Sequence, residues 1–392
     1  MEFPVARSDP FMPPREYAIG GGRPYRVSLA YGGDAWLITG YHAARTVLAD
    51  TSFSSDSTRP DYPNFPLASR HRIPGHFLSM DPPEHTRLRR TVAADFTAQG
   101  LKALRPTMEA VAVELVEAMA RQGPPADLID GFAIPLHGRL VAELLGVPAG
   151  DRPFFQACAR ALQLHDASAA QRMAAGGRMN QYLNRLILTR RASASAGADV
   201  LSRLAMPQSD GGQLGLEDAV GVANLILVAG LETTVGLLGL TVLALLRDRA
   251  QGDLVRADPR SWAAAAVRES LRYWTVVHHG VARVATRDVE VSEQPIRAGE
   301  SVVVHLPTAN RDPEVYPDPD AFDIARDAQG HLAFGHGPHR CLGGTLAQLE
   351  VSAAIEVLAG RLPGMRLLDP AAEASFLHHM LVYGVRELRV AW

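Results

Sequence analysis

Glu217 to Leu246 is the stretch that most restricts how this chain can fold. Apolar side chains occupy nearly every face of its helical pattern, and no proline interrupts it. Such a helix either crosses a membrane or lies at the centre of a large protein. Asn224, Glu232, Thr233 and Thr234 sit in its middle. A carboxylate there is costly unless it is paired or hydrated, so the expectation is a buried central helix of a soluble protein. The rest of the chain can supply the cover: 392 residues, 47% hydrophobic and 21% charged, suit one large domain. The small-residue stretch Ala192–Ala198 and the polar turn Pro207–Gly215 delimit no independent unit, and there is no internal repeat. A single domain over 1–392 is expected.

A net charge of -3 argues against general nucleic-acid binding. Two cysteines, Cys158 and Cys341, make no disulfide framework and point to a reducing compartment. Met1 to Pro14 is polar and proline-rich, without the apolar run of a signal peptide or anchor. A cytoplasmic monomer that uses no membrane is expected.

Periodicity predicts helices over Tyr41–Ala49, Leu104–Ala120, Leu136–Leu145, Pro153–Leu164, Ala170–Arg190 and Ala263–Trp274, and a short one opening at Met80–Arg90. Strands are predicted at Tyr25–Leu29 and Ala35–Ile38 around a Gly32-Gly33 turn. Others fall at Val289–Val291, Ser301–His305, Phe376–Val382 and Glu387–Val390. Thr51–Ser79 reads as a long irregular segment. Cys158 falls inside a helix and is assigned to packing.

The chemistry concentrates around Cys341. Phe334-Gly335-His336-Gly337-Pro338-His339-Arg340-Cys341-Leu342-Gly343-Gly344 puts two glycines and a proline just before the cysteine, and a helical pattern (Thr345–Leu358) just after it. A thiolate at a helix N-terminus is favoured by the helix dipole and by free N–H groups. Three readings are open: a small buried hydrophobe, a zinc site with His336, His339 and Cys341 that still needs a fourth ligand, or an axial thiolate to haem iron.

The loop resembles, position by position, the haem-binding signature of the cytochrome P450 family. Phe334, Gly335, Gly337, His339, Cys341 and Gly343 all fall on that pattern, and further family motifs follow in order along most of the chain. Ala229-Gly230-Leu231-Glu232-Thr233 is similar to the family's oxygen-activation motif, and Glu269-x-x-Arg272 to its framework ion pair. The resemblance implies a mainly α fold with small β-sheets, and haem b (iron protoporphyrin IX) held between the central helix and the cysteine-loop helix. Cys341 would be the iron ligand, and Phe334 would lie beneath the ring.

It implies that His85, Arg89, Arg283 and His339 serve the two haem propionates. Thr233, by bonding back to the carbonyl of Ala229 and bending the helix, would open a notch for oxygen, while Gly230 keeps it uncrowded. Glu232 would relay protons through water. Glu269 and Arg272 would take a third partner, Arg326 first and Arg311 second. Val228, Val277, His278, His279 and Leu381 would line the substrate pocket, with His379 and Met380 weaker candidates. Arg70, His71 and His76 could also face substrate. Arg87 and Arg90 could dock an acidic electron donor.

The activity so implied is oxygen insertion into a small, mostly apolar secondary metabolite of polyketide, macrolide or peptide type, free or carrier-bound. Electrons would come from a ferredoxin and an NAD(P)H-dependent ferredoxin reductase, since the chain carries no flavin or iron–sulfur pattern. Two alternatives stand beside it: an oxidase that couples or dehydrogenates on the same haem, and a silent haem protein acting as sensor or scaffold. Two departures from the family pattern are Gln348, where an arginine is usual, and the missing proline before Thr275.

Overall fold

The computed structural model describes residues 1–65, 68–163, 168–193, 197–207, 212–368, 375–378 and 380–392. Twelve helices appear among them: α1 (Tyr41–Ala49), α2 (Glu84–Arg90), α3 (Arg105–Gln122), α4 (Ile134–Leu145), α5 (Arg152–Gln163), α6 (Ala169–Ser193), α7 (Val200–Ala205), α8 (Leu216–Arg247), α9 (Arg249–Ala257), α10 (Pro259–Trp274), α11 (Leu306–Ala309) and α12 (Gly344–Arg361).

The long apolar stretch becomes α8, and most of it is enclosed by the helices packed around it. Leu237, Leu238, Leu240, Val242 and Leu243 are all buried in its second half. Each such side chain contributes roughly 1.5–3 kcal/mol on burial, so the helix is a core element and needs no lipid. It packs against α4, α6, α10 and α12, while α12 packs in turn on α3 and α10. Asp248 and Asp258 cap the two helices after it, accepting from the N–H groups of Gln251 and Ser261.

A six-stranded sheet stands to one side, in the order β1 (Glu2–Phe3), β2 (Tyr25–Leu29), β3 (Asp34–Ile38), β9 (Ser301–Val304), β6 (Val281–Ala285), β4 (Phe53–Ser54). The hairpin predicted around Gly32-Gly33 pairs Ser28 with Asp34, and both glycines have positive φ. Smaller sheets are β7 (Val289–Val291) with β8 (Gln294–Ile296), and β10 (Arg366–Leu367) with β11 (Arg389–Ala391) and β5 (Ala126–Asp127).

The predicted strand Phe376–Val382 is not one. Phe376 and Val382 each make a single isolated bridge, to Val385 and Val277. The chain turns between them, and Tyr383 is fixed by donating its hydroxyl to the Pro10 carbonyl. The helix α7 ends just before Pro207, and its Asp199 cap accepts from Ser202 N–H; residues 208–211 of the turn expected at Pro207–Gly215 lie outside the described residues. Cys158 lies buried in the main core, as a packing residue.

Candidate functional site

The loop before Cys341 is shaped by its glycines. Gly335 and Gly337 have φ of 67° and 72°, and a Cβ on Gly337 would lie 2.5 Å from the Leu48 carbonyl oxygen. The Cys341 N–H donates to the Phe334 carbonyl at 2.7 Å, which closes the loop. The Phe334 ring rests on the spot where Gly344 has no side chain, with a Cβ there falling 3.1–3.4 Å from ring atoms. Helix α12 starts at Gly344, so the cysteine precedes the helix by three residues.

The sequence led us to expect a thiol poised to ionise. Instead, burial pushes the Cys341 pKa up, opposed by the N–H groups of Gly343 and Gly344 and by the charges of Arg89 and Arg340. Desolvation outweighs the N–H groups and both charges. The donors are in place, and what a thiolate here lacks is a cation directly on the sulfur.

Next to the cysteine lies a cluster of basic groups with few anions. The rings of His85 on α2 and His339 in the loop lie 4.1 Å apart. Among the described residues, neither ring nitrogen of buried His85 has a hydrogen-bond partner. Arg89, one turn on, donates to the Arg340 carbonyl at 2.6 Å. Arg283 on β6 is buried and donates to the Ala282 carbonyl at 2.7 Å. Burial lowers the pKa of all four groups, that of His339 to about 2. The acid that acts on His85 and Arg283, Asp81, is occupied by Ser54 and by the N–H of Ser55. Two guanidinium and imidazole pairs without a carboxylate, His85 and Arg283 buried and Arg89 and His339 half-buried, describe a cradle for a dianionic group. The propionates of haem fit this donor set.

On α8 the Thr233 hydroxyl donates to the Ala229 carbonyl at 2.9 Å, as the spacing predicts. The helix assignment runs unbroken through this point, from Leu216 to Arg247. Val228 is 53% exposed and Ala229 is exposed too, although the flanking turns are buried; here the core helix faces open space. A Cβ on Gly230 would meet Nε2 of His137 at 3.0 Å, so the bare position also makes room for the packing of α4. Glu232 has its pKa raised by burial, against the pull of Arg172 on α6.

His137 itself was not foreseen. Its Nδ1 faces both carboxylate oxygens of Glu350 on α12, at 3.0 and 3.1 Å, and both side chains are buried. The two residues stand 213 positions apart, so no local pattern could reveal the pair.

The framework is complete. Arg272 donates to Glu269 at 2.7 and 2.8 Å and to the carbonyls of Asn310, Pro319 and Ala321. Nε of Arg326 lies 3.5 Å from Glu269, whereas Arg311 goes to Asp320 and the Tyr273 carbonyl instead.

The pocket residues divide. Val277 and Val382 form a bridge that joins the segment after α10 to the last turn, and Leu381 is half-buried beside it. His278 is committed elsewhere: its Nε2–H donates to the Met380 carbonyl and its ring lies 5.0 Å from Tyr383. His279 is buried with its ring 4.2 Å from that of His278. Both rings are buried against protein neighbours. His379 lies outside the described residues. His71 and Arg70 are exposed, Arg70 bonding Asn64 and the Arg59 carbonyl; His76 is half-buried. Arg87 is less available for docking than expected, being bound by Glu84 and Asp218, while Arg90 is exposed. Gln348 donates to the Gly344 carbonyl at 3.2 Å.

Comparison with known proteins bears on the whole chain. The Cytochrome P450 family model matches residues 262–358. Cytochrome P450-SU2 of Streptomyces griseolus is 41% identical over 94% of this chain and 90% of its own length. Pentalenic acid synthase of Streptomyces avermitilis is 39% identical over 100% and 97%. The crystal structure of cytochrome P450 MoxA from Nonomuraea recticatena superposes with a TM-score of 0.94 at 37% identity, covering 100% of this chain and 98% of that one. Likeness at this level spans nearly the whole chain, and the chain belongs to the cytochrome P450 family as one of its soluble bacterial monooxygenases.

Proposed function

We propose that this monooxygenase binds haem b through Cys341 and inserts oxygen into a small, mostly apolar secondary metabolite. The observation that carries the reading is the cradle of His85, Arg89, Arg283 and His339 beside the cysteine, basic groups without a carboxylate of their own. His85 and His339 supply neutral ring donors, and the two arginines supply charge; together they orient the anionic edge of the cofactor. Phe334 and the N–H groups of Gly343 and Gly344 shelter the sulfur and disperse its charge. Haem ligated by a thiolate supplies the oxidising chemistry when bound.

The remaining work belongs to side chains of α8. Thr233 carries a hydroxyl that can turn from the Ala229 carbonyl toward the open face of the helix. Glu232, whose pKa burial raises, is the carboxyl on this helix that can take up a proton and pass it inward. Val228 and Ala229 give that face an apolar wall, joined by Val277 and Leu381, which suits an apolar substrate. That one relative is named a pentalenic acid synthase supports a role in secondary metabolism, and polyketide, macrolide or peptide skeletons are the favoured class. Electrons come from a cytoplasmic ferredoxin and its NAD(P)H-dependent reductase.

The test is spectroscopic and then chemical. The reduced protein under carbon monoxide gives the red-shifted band of a thiolate complex, and Cys341→Ser abolishes it. Product formed under labelled dioxygen carries one labelled atom; unlabelled product would overturn oxygen insertion in favour of coupling or dehydrogenation.

A further inference from the structure

The segment that precedes α2 is fastened to the central helix at one point, and the fastening is made by Asp218. The turn at Pro74-Gly75 lies directly on the backbone of α8. A Cβ on Gly75 would fall 2.3 Å from the Asp218 carbonyl oxygen and 2.5 Å from Val222 N, and one on Gly221 would fall 1.8 Å from the Pro74 carbonyl oxygen. Gly75 also has φ of 71°, so a side chain is excluded there twice over. Two glycines, one on each partner, are needed for this contact.

Asp218 then uses both carboxylate oxygens. Its Oδ1 accepts the Gly75 N–H at 3.0 Å, and its Oδ2 accepts from Arg87 of α2 at 3.1 Å. Arg87 is itself held by Glu84 at 2.6 and 3.0 Å. One carboxylate therefore ties both the turn and the helix that carries His85 and Arg89 to α8. The position along α8 matters. Residues 218, 222, 225, 229 and 233 follow each other at three- and four-residue steps, so they run along one face. The turn at Gly75 covers the start of that face, and Ala229 lies seven residues beyond Val222, about 10 Å at 1.5 Å per residue. On either side of the turn, Ile73 and Leu78 are exposed, while Phe77 and Met80 are buried in the main core.

We propose that Asp218 is a positioning residue that latches the 73–78 segment over the end of the α8 face leading to Ala229 and Thr233, and so sets which molecules reach that face. The inference rests on the reading of that face as the place where substrate meets the haem. Releasing the latch frees the segment without touching the cysteine loop or the oxygen motif. Bulky molecules then enter and leave faster, while a molecule small enough to pass the closed segment is unaffected.

The experiment uses the full haem-loaded chain with two probes that bind haem iron, imidazole and 4-phenylimidazole, together with amide exchange read by mass spectrometry. In Asp218→Ala, amides of residues 73–78 exchange faster by about tenfold, the scale of losing one charge-assisted hydrogen bond. Association and dissociation of 4-phenylimidazole both accelerate, and those of imidazole stay within about twofold, since a shift in the barrier alters both rates and leaves affinity nearly fixed. Gly221→Ala gives the same pattern although alanine favours a helix interior, because its methyl displaces the turn. Asp218→Asn, which still accepts the Gly75 N–H, falls between; it carries the test if the alanine variant does not fold. Unchanged exchange in Asp218→Ala and Gly221→Ala overturns the latch. Equal acceleration of both probes overturns its role in access. A parent without the thiolate band would remove the functional reading, yet the exchange comparison would still decide whether Asp218 holds the segment.

Discussion

Two buried polar clusters in this molecule look alike in composition and differ in how far they are satisfied. Around Glu269 and Arg272 both charges are answered: two donors meet the carboxylate, three carbonyls take the rest of the guanidinium, and Arg326 stands 3.5 Å away as an ion partner, although its Nε makes no hydrogen bond among the described residues. Around His85, His339 and Arg283 two of the groups, His85 and Arg283, are buried and His339 is half-buried, but both ring nitrogens of His85 have no partner among the described residues. Folding alone selects for the first kind of cluster, since an unmet buried group costs about 1–3 kcal/mol. The second kind persists where something else completes it. The contrast separates framework from binding site without reference to any relative, and it can be broken from either side.

The largest effect falls on the framework. Arg272→Ala leaves a fully buried carboxylate with only Arg326 and the Asp323 N–H, and strands three carbonyls. Breaking such a pair costs roughly 3–5 kcal/mol, so urea denaturation of the variant shows a large fall in midpoint, or no cooperative transition. A variant as stable as the parent would remove the basis of the comparison.

His137 and Glu350 belong with the framework by the same criterion, for they answer each other, although Nε2 of His137 is left over. His137→Ala leaves the Glu350 carboxylate alone and costs about 3 kcal/mol. Glu350→Gln keeps a hydrogen-bond acceptor and costs closer to 1 kcal/mol. Denaturation of both variants, in the presence and absence of haem, checks the ratio.

The cradle behaves in the opposite sense. His85→Phe removes two unmet nitrogens, so the haem-free chain keeps its stability or gains up to about 1 kcal/mol. The same change weakens haem retention by about tenfold, the value of one hydrogen bond to a charged group. Haem transfer to an apo-globin acceptor measures the second quantity and thermal unfolding of the apo form the first. If both fell together, the cradle would be framework after all.

What could be read from the sequence follows the same division. The cysteine loop, the central helix and the Glu269–Arg272 spacing are local patterns whose geometry is set within a few residues, and each lies where expected. Arg326 was reachable because it follows the framework helix in a recognisable segment. The His137–Glu350 pair, the Asp218 latch and the contact of Gly230 with His137 depend on residues brought together across about 90 to 213 positions. No periodicity encodes such meetings. The strand expected at Phe376–Val382 failed for a related reason: alternation suggested pairing, but the chain end is fixed by Tyr383 reaching back to Pro10. Helices α7 and α9 were missed although Asp199 and Asp248 supply caps that could have marked them.

The smallest effect concerns acid. His305 and His278 are framework imidazoles: Nε2–H of His305 donates to the His278 carbonyl at 2.9 Å, and that of His278 donates to Met380. Burial, reinforced by the charge of Arg7, lowers their pKa values to about 3 and about 2. In the unfolded chain both take a proton near pH 6.5, so below that value the unfolded state binds more protons than the folded one. Stability is then constant above about pH 7 and falls on acidification, by up to about 1.4 kcal/mol per pH unit for each ring, until the folded pKa is reached. His305→Gln keeps a side-chain N–H donor for the His278 carbonyl and removes one titrating ring. Between pH 6.5 and 5.5 its unfolding free energy therefore drops by about 1 kcal/mol less than that of the parent, since the full slope is reached only below the unfolded pKa. Equal slopes would mean that the ring at 305 is already exposed to protons in the folded state, and that this part of the framework is looser than its hydrogen bonds imply.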